Sequence, residues 1–247
     1  MSPTSLHIHP GETVTSEMLE PLPPPIRRYL SFSGVVGKPW ISTARVCYSG
    51  KFRTGADKPW MGISARQYYT TQPAGFSWNA RFKMAGLPIL FGQDTYKNGH
   101  SRMLGKLLGL FKVVDGSGRE VDLGTMMRYL QEMTWFPVSY LDERITWQAV
   151  DDHCAEVTFT DYGTSVSARV YVDDGGRMLS FIAQRWGDFN GNPSIQTWAT
   201  PFCSYAQFAG LTLPAVGRGV WHLSSGDLTY IDVNLTEVEY NCAVPNF

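Results

Sequence analysis

A large curved antiparallel β-sheet is the mainly β fold that the sequence predicts. It forms an open or half barrel, with a helical insertion covering its concave face and a short N-terminal helix. Three observations carry this expectation. Strand-like runs that alternate polar and apolar residues succeed one another from Trp40 to Tyr240. The signals between them are short turns, whereas parallel strands need long crossovers. About ten to twelve strands in one sheet do not stay flat, so the sheet is expected to curl. The chain has 247 residues, of which 43% are hydrophobic, 13% aromatic and 17% charged. That is enough to bury one sizeable core, with rings to spare for a cavity.

Residues 1–14 read as a loose tail, and 15–247 as a single β-half-barrel domain with a helical insertion at about 101–136. "LEPLPPPIRRYLSFSG" opens the domain with the short helix. Pro25 suits its first turn, where a missing N–H costs nothing, and Gly34 suits its C-terminal cap. Ile26, Tyr29, Leu30 and Phe32 form its apolar stripe. Next come "STARVCYSGKFRTG", read as two strands meeting near Gly50 or one strand with a bulge, then "ISARQYYTTQ", "GFSWNARFKM" and "PILFGQDTYKNGH". Pro73-Ala74-Gly75 and Asn98-Gly99 mark turns between them.

The middle of the chain changes period. "SRMLGKLLGLFKVV" is apolar and rich in helix formers, and "GSGRE" breaks it. Asp122 suits the N-cap of a helix in which Leu123, Met126, Met127, Leu130 and Met133 recur at helical spacing. Arg128, Gln131 and Glu132 lie off that stripe, a placement that favours water, and Pro137 sets the stop. Strands then resume with "ITWQAV", "CAEVTFTD", "SVSARVYVD" and "MLSFIAQRW". They continue to the long alternating run "LTYIDVNLTEVEY". Tyr162-Gly163 and Asp173-Asp174-Gly175-Gly176 are hairpin material.

The totals exclude several classes. A net charge of -1 with scattered Lys and Arg gives no footprint for nucleic acid. No apolar run is long enough to span a membrane. The N-terminus lacks the features of a secretory signal, so a cytoplasmic location is expected. Cys47, Cys154, Cys203 and Cys242 show no C-x-x-C spacing and read as free, mostly buried thiols. No nucleotide, nicotinamide, metalloprotease or nucleophile-elbow motif occurs, and no cofactor is expected. The histidines give no metal site: His7 and His9 make an incidental tail pair, while His222 follows Trp221 in a strand where it can face a cavity.

Several long stretches resemble, in order, a family of bacterial proteins of unknown function. They are "LPPPIRRYLSFSGVVGKP", "ARQYYTTQPAGFSWNARFKMAGLPI", "DTYKNGHSRMLGKLLGLFKVVDGSGREVDLGTMMRYLQEMTWFP" and "WHLSSGDLTYIDVNLTEVEYN". The resemblance spans about residues 20–241. It implies a curved antiparallel sheet, similar to the lipoprotein-carrier half-barrels, that shelters an apolar cavity. The matching motifs draw attention to Gln67, Tyr68, Trp78, Arg81, Asp94 and Tyr96, then to Arg102, Lys106, Glu120 and Asp122. Arg128, Tyr129, Glu132, Trp135 and Phe136 complete them. The chain departs from the family pattern at "SIQTWATPFCSYAQFAG", where more charge is expected, and in the added tail "CAVPNF".

Chemistry is sought first on the middle helix. Arg128 and Glu132 are four apart and share a face, so they can pair. An exposed pair of that kind contributes little. Among Met127, Leu130, Met133, Trp135 and Phe136 a partly desolvated carboxylate can instead serve as acid or base, with Tyr129 orienting a substrate. The catalytic candidates are therefore Glu132, Arg128 and Tyr129. The substrate-binding candidates are Tyr68, Trp78, Arg81, Arg102, Met133, Trp135 and Phe136, with the arginines receiving an anionic head group or carbonyl. Two functions compete for a hydrophobic small-molecule ligand. One is a cofactor-independent enzyme, a cyclase or isomerase of a polyketide- or terpene-like natural product working by orientation with acid/base assistance. The other is a non-catalytic carrier of a lipid or other apolar ligand. A third reading, a structural module, fills the cavity with side chains.

Overall fold

The chain begins its sheet in the middle and builds outward. The computed structural model describes residues 4–5, 11–189, 191 and 193–247. After α1 (Pro24–Ser33), strands β2 (Thr43–Phe52), β3 (Met61–Thr71), β4 (Ala74–Met84), β5 (Leu87–Lys97), β6 (His100–Leu107) and β7 (Phe111–Gly116) follow as a meander. Helix α2 (Arg119–Glu132) and two 3-10 turns at 133–135 and 137–141 come next. The second meander comprises β8 (Ile145–Ala149), β9 (Cys154–Asp161), β10 (Thr164–Val172), β11 (Met178–Asp188), β12 (Pro193–Phe208), β13 (Leu211–Leu223) and β14 (Gly226–Tyr240). A two-residue strand, β1 (Thr4–Ser5), pairs with β8.

Among the described residues these fourteen strands make one antiparallel sheet, in the order β1-β8-β9-β10-β11-β12-β13-β14-β2-β3-β4-β5-β6-β7. The first strand of the first meander, β2, pairs with the last of the second, β14. The outermost strand β7 has no partner beyond it, so the curved sheet does not close. Topology therefore dictates where α2 lies. The chain leaves at the β7 edge and must re-enter near the opposite edge at β8. The connecting helix has to cross the concave face, and it touches β5 and β6 on one side and β10 and β11 on the other.

The local signals account for the meander. Asn98-Gly99 and Tyr162-Gly163 both have positive φ at two successive residues, the geometry a two-residue hairpin needs. Helix α1 starts on Pro24 and Pro25 and ends at Gly34, whose φ is 76° and whose N–H reaches the carbonyls of Leu30 and Ser31. Ile26, Tyr29 and Leu30 are buried, as the stripe implies.

The structure corrects four expectations. Residues 101–116 are not helical but form β6 and β7 around a turn at Leu108 and Gly109, both with positive φ. The segment misleads because it lies at the sheet edge with apolar side chains on both faces. Leu110 and Phe111 are 79% and 62% exposed. The helix begins at Arg119 after Gly118, so Asp122 is not its N-cap; its carboxylate accepts the Ser101 N–H at 2.6 Å instead. The tail is docked from residue 12: the Val14 N–H donates to Lys38 O, the Trp40 N–H donates to Glu12 O, and the Val14 side chain is buried. Of the cysteines only Cys154 is buried, while Cys203 is exposed. The stretch near Gly50 is one strand, β2, where a Cβ on Gly50 would fall 1.9 Å from the Asp232 carbonyl oxygen. The His7–His9 pair lies outside the described residues, and among those described no helix is long and apolar enough to cross a membrane.

Helix α1 is held against the turn between β10 and β11 by close approach. Arg28 donates to the carbonyls of Asp152 and Asp173, and Gly176, at φ 85°, leaves no room for a Cβ beside the Arg28 carbonyl oxygen at 2.5 Å. The Gly176→Ala variant is expected to lose about 2–4 kcal/mol of unfolding free energy, from backbone strain and the clash together. Urea denaturation measures this, and a wild-type midpoint would contradict the docking.

Candidate functional site

Helix α2 divides the trough beneath it. On one side Tyr129 and Phe136 pack with Tyr69, Phe76, Tyr96 and Phe159 in a closed aromatic cluster. On the other side lies a cavity of about 1020 Å³. Its wall carries Tyr48, Trp78, Phe82 and Trp135 towards the first meander, and Trp198, Trp221 and Tyr230 towards the second. The helix contributes Thr125, Arg128, Gln131 and Glu132 to its roof.

Both faces of α2 are thus covered, which overturns the expectation that its polar face meets water. Met126, Met127, Leu130 and Met133 are buried as the stripe implies, but Gln131 and Glu132 are buried too. A buried guanidinium is costly unless its hydrogen bonds are made, and Arg128 makes them with every nitrogen. Nε donates to Glu132 Oε1, Nη1 to Asp94 Oδ2 and Nη2 to Gln67 Oε1, each at 2.8 Å. Its carbon lies 4.8 Å from the Trp78 ring centroid. The other oxygen of Glu132 accepts from Gln67 Nε2 at 2.7 Å and from the Tyr69 hydroxyl at 3.0 Å. Residues from β3, β5 and α2 are locked into one network.

Asp94 differs from Glu132. Oδ2 takes Arg128, while Oδ1 has no hydrogen-bond partner among the described residues. Burial, with the nearby charge of Glu132 adding to it, pushes its carboxyl up to about 6 against the opposing pull of Arg128. Asp94 thus carries a raised proton affinity while sharing the Arg128 guanidinium with Glu132.

A second arginine, Arg185 on β11, also lies in the wall. Its Nε donates to the Gly124 carbonyl at 3.0 Å, and its guanidinium sits 4.7 Å from the Trp198 centroid and 5.5 Å from that of Trp221. Burial pushes its ionisation down from the ordinary value, and the charge of Arg128 acts the same way.

Of the expected site residues, Arg128, Glu132, Trp78 and Trp135 meet at the cavity. The others do not. The Tyr129 hydroxyl donates to the Thr70 carbonyl at 2.8 Å inside the aromatic cluster, and burial pushes its ionisation up. Met133 and Phe136 are core residues. Tyr68 alternates with Gln67 and Tyr69, so it faces the convex side, half-buried. Arg81 is exposed, three residues along β4 from Trp78 and hence on the opposite face. Arg102 is exposed and paired with Asp115 at 3.2 Å. His222 is not in the cavity wall; it pairs with Asp227 at 2.7 Å. Among the described residues no group of three or more His, Cys, Asp or Glu is arranged to hold a metal ion.

The sequence reading missed Arg185, Trp198, Trp221 and Tyr230. One signal pointed to Tyr230. Gly217 and Gly219 interrupt a strand, and a glycine there marks close approach. A Cβ at Gly219 would sit 2.6 Å from the Tyr230 ring.

An unclosed antiparallel sheet with a ring-lined cavity under a crossing helix defines a β-half-barrel protein with an internal pocket. The chain belongs to DUF6544, a family of unknown function whose model matches residues 12–233. No curated protein matches the sequence. Among solved structures it is similar to a DUF1329-family protein from Desulfovibrio piger, with a TM-score of 0.52 and 10% identity over 90% of this chain and 95% of that one. At that identity the likeness concerns the fold alone. Looser likenesses are to a putative outer membrane lipoprotein-sorting protein domain from Vibrio parahaemolyticus, with a TM-score of 0.46 and 9% identity over 83% and 87% of the two chains. A LolA-superfamily protein from Nitrosomonas europaea gives a TM-score of 0.46 and 9% identity over 94% and 96%.

Two outcomes are expected of the network. Arg128→Met, which leaves Asp94 and Glu132 buried without their cation, should cost about 3–5 kcal/mol of stability in chemical denaturation. The Asp94 carboxyl carbon, followed by NMR, should titrate with a midpoint near 6. Because this value lies above the ordinary 3.8, the protonated form favours the fold. The stabilisation is present below about 4 and lost as pH rises through about 6, amounting to about 3 kcal/mol. A midpoint in the ordinary carboxylate range would contradict the burial of Asp94.

Proposed function

We propose that this protein binds an apolar small molecule in the cavity beneath α2 and holds it without chemical conversion. The observation that carries this reading is the cavity itself. At about 1020 Å³ it sits at the upper end of ligand pockets, which span about 300–1,000 Å³, and its wall is mainly apolar and rich in aromatic rings. A structural module would have filled that space, since interiors pack densely and apolar voids cost stability. The groups first considered for catalysis also favour binding over turnover. Arg128, Glu132 and Tyr129 spend their hydrogen bonds on the protein, so none is poised to move a substrate proton.

A catalytic reading, a cofactor-independent cyclase or isomerase of a polyketide- or terpene-like molecule, rests on one narrower observation. Asp94 lines the cavity with one oxygen unpartnered and a proton affinity near neutrality, as a general acid or base requires. Asp94→Asn separates the readings: a carrier keeps its ligand affinity and returns the ligand unchanged, whereas the enzyme loses its product.

Five tryptophans in the wall supply the measurement. Titration with dodecanol should change tryptophan emission and saturate. Ala215→Trp, which fills the cavity from β13, should weaken binding at least about tenfold while leaving the thermal midpoint near wild type. A linear, unsaturable emission change, or an unaffected Ala215→Trp variant, would dismiss the cavity as a ligand site.

A further inference from the structure

The two arginines of the cavity are not equivalent. Arg128 has a partner for each of its nitrogens. Arg185 uses only Nε, on the Gly124 carbonyl. Neither of its terminal nitrogens has a hydrogen-bond or ion-pair partner among the described residues, and neither is sealed from the cavity. The acidic side chains of the wall are committed elsewhere or exposed. Glu132 and Asp94 hold Arg128, while Glu120 and Asp188 are exposed. Arg218, the remaining basic group, pairs with Asp232 at 3.5 Å.

The neighbours of Arg185 repeat the pattern of donors without acceptors. Trp198 Nε1 donates to the Tyr230 hydroxyl oxygen at 3.2 Å, and the Tyr230 proton has no acceptor among the described residues. Thr200, two residues from Trp198 and so on the same strand face, is 6% exposed, and its hydroxyl is buried without a partner. Both side chains line the cavity. The rings hold the group together: the centroids of Trp198 and Trp221 are 6.4 Å apart, and those of Trp221 and Tyr230 are 6.1 Å apart. A desolvated guanidinium with a free planar fork, among hydroxyls that lack acceptors, is incomplete without an anion.

We infer that the cavity takes an apolar molecule ending in a carboxylate, with the carboxylate seated on the terminal nitrogens of Arg185 and the apolar body against Trp198, Trp221 and the far aromatic wall. This rests on the binding reading above and adds the charge of the ligand. The carboxylate is the planar anion that accepts both arms of the fork at once. The indoles of Trp198 and Trp221 lie against the guanidinium before any ligand binds, so little side-chain freedom is lost on binding. The Tyr230 hydroxyl supplies a further donor to the same end of the molecule.

Tryptophan-fluorescence titrations at pH about 8, with the ligand ionised, test the inference using three probes of equal chain length: dodecanoate, dodecanol and dodecyltrimethylammonium. The expected result is that dodecanoate binds at least about tenfold tighter than dodecanol, with the cation weakest. Arg185→Met, which keeps the stem and removes the charge, should abolish that preference while changing dodecanol affinity by less than about threefold. Arg185→Lys should keep part of it, since the charge remains and the fork is lost. The wild-type ranking needs no folded variant and decides by itself. Equal binding of dodecanoate and dodecanol overturns the carboxylate and leaves the apolar-ligand reading standing. Binding of none of the three overturns both. A preference that survives Arg185→Met overturns the assignment to Arg185.

Discussion

The arrangement of the cavity depends on how Arg128 is kept charged inside the protein. The chain must cross the trough to pass from one edge of the sheet to the other, so α2 cannot leave its polar face in water. Removing an ion from water costs several kcal/mol after relaxation, and only a saturated hydrogen-bond set compensates it. Asp94 on β5, Gln67 on β3 and Glu132 one helical turn on provide that set. Because these partners come from separate strands, the network fixes the helix at one height and one rotation above the sheet. That position roofs the cavity on one side and closes the aromatic cluster around Tyr129 on the other.

The volume of the cavity follows from glycines as much as from aromatics. Large rings normally project from a sheet and fill the space above it. Here three of the wall's rings lie back against backbone that carries no side chain. A Cβ would fall 2.8 Å from Trp78 at Gly92, 3.0 Å from Trp221 at Gly187 and 2.6 Å from Tyr230 at Gly219. Flattened rings line the wall without occupying the centre. Where no such glycines underlie the rings, around Tyr69, Tyr96 and Phe159, the side chains meet and the trough is solid. One sheet therefore holds a packed half and an open half.

Much of this architecture was legible in local pattern. Hairpin turns such as Asn98-Gly99 and the Pro24–Ser33 helix with its Gly34 cap follow from backbone geometry that only certain residues adopt. The Met stripe of α2 gave its inward face correctly, but the fate of Arg128 and Glu132 was a question of topology, because only the crossing explains why the opposite face is covered as well. The β6–β7 hairpin was illegible for a related reason: an edge strand with apolar side chains on both faces loses the alternation that distinguishes a strand from a helix. At the site, Trp78 lines the cavity and Arg81 lies on the opposite face of the same strand, a separation that their odd spacing already implies. Arg185 carried no local signal. Its significance lies in the absence of a carboxylate partner among the described residues, which is a property of the assembled fold.

That absence gives the cavity its polarity. If Asp94 and Glu132 had been divided between the two arginines, each cation would be half satisfied and neither would favour a charged guest. Concentrating both carboxylates on Arg128 makes one arginine structural and leaves the other electrostatically open. Asp94 is raised first by its own burial, and the charge of Glu132 on the same cation adds to that rise. The unpartnered fork of Arg185 is thus a consequence of how the charge is distributed, set by the residues that hold α2 across the trough.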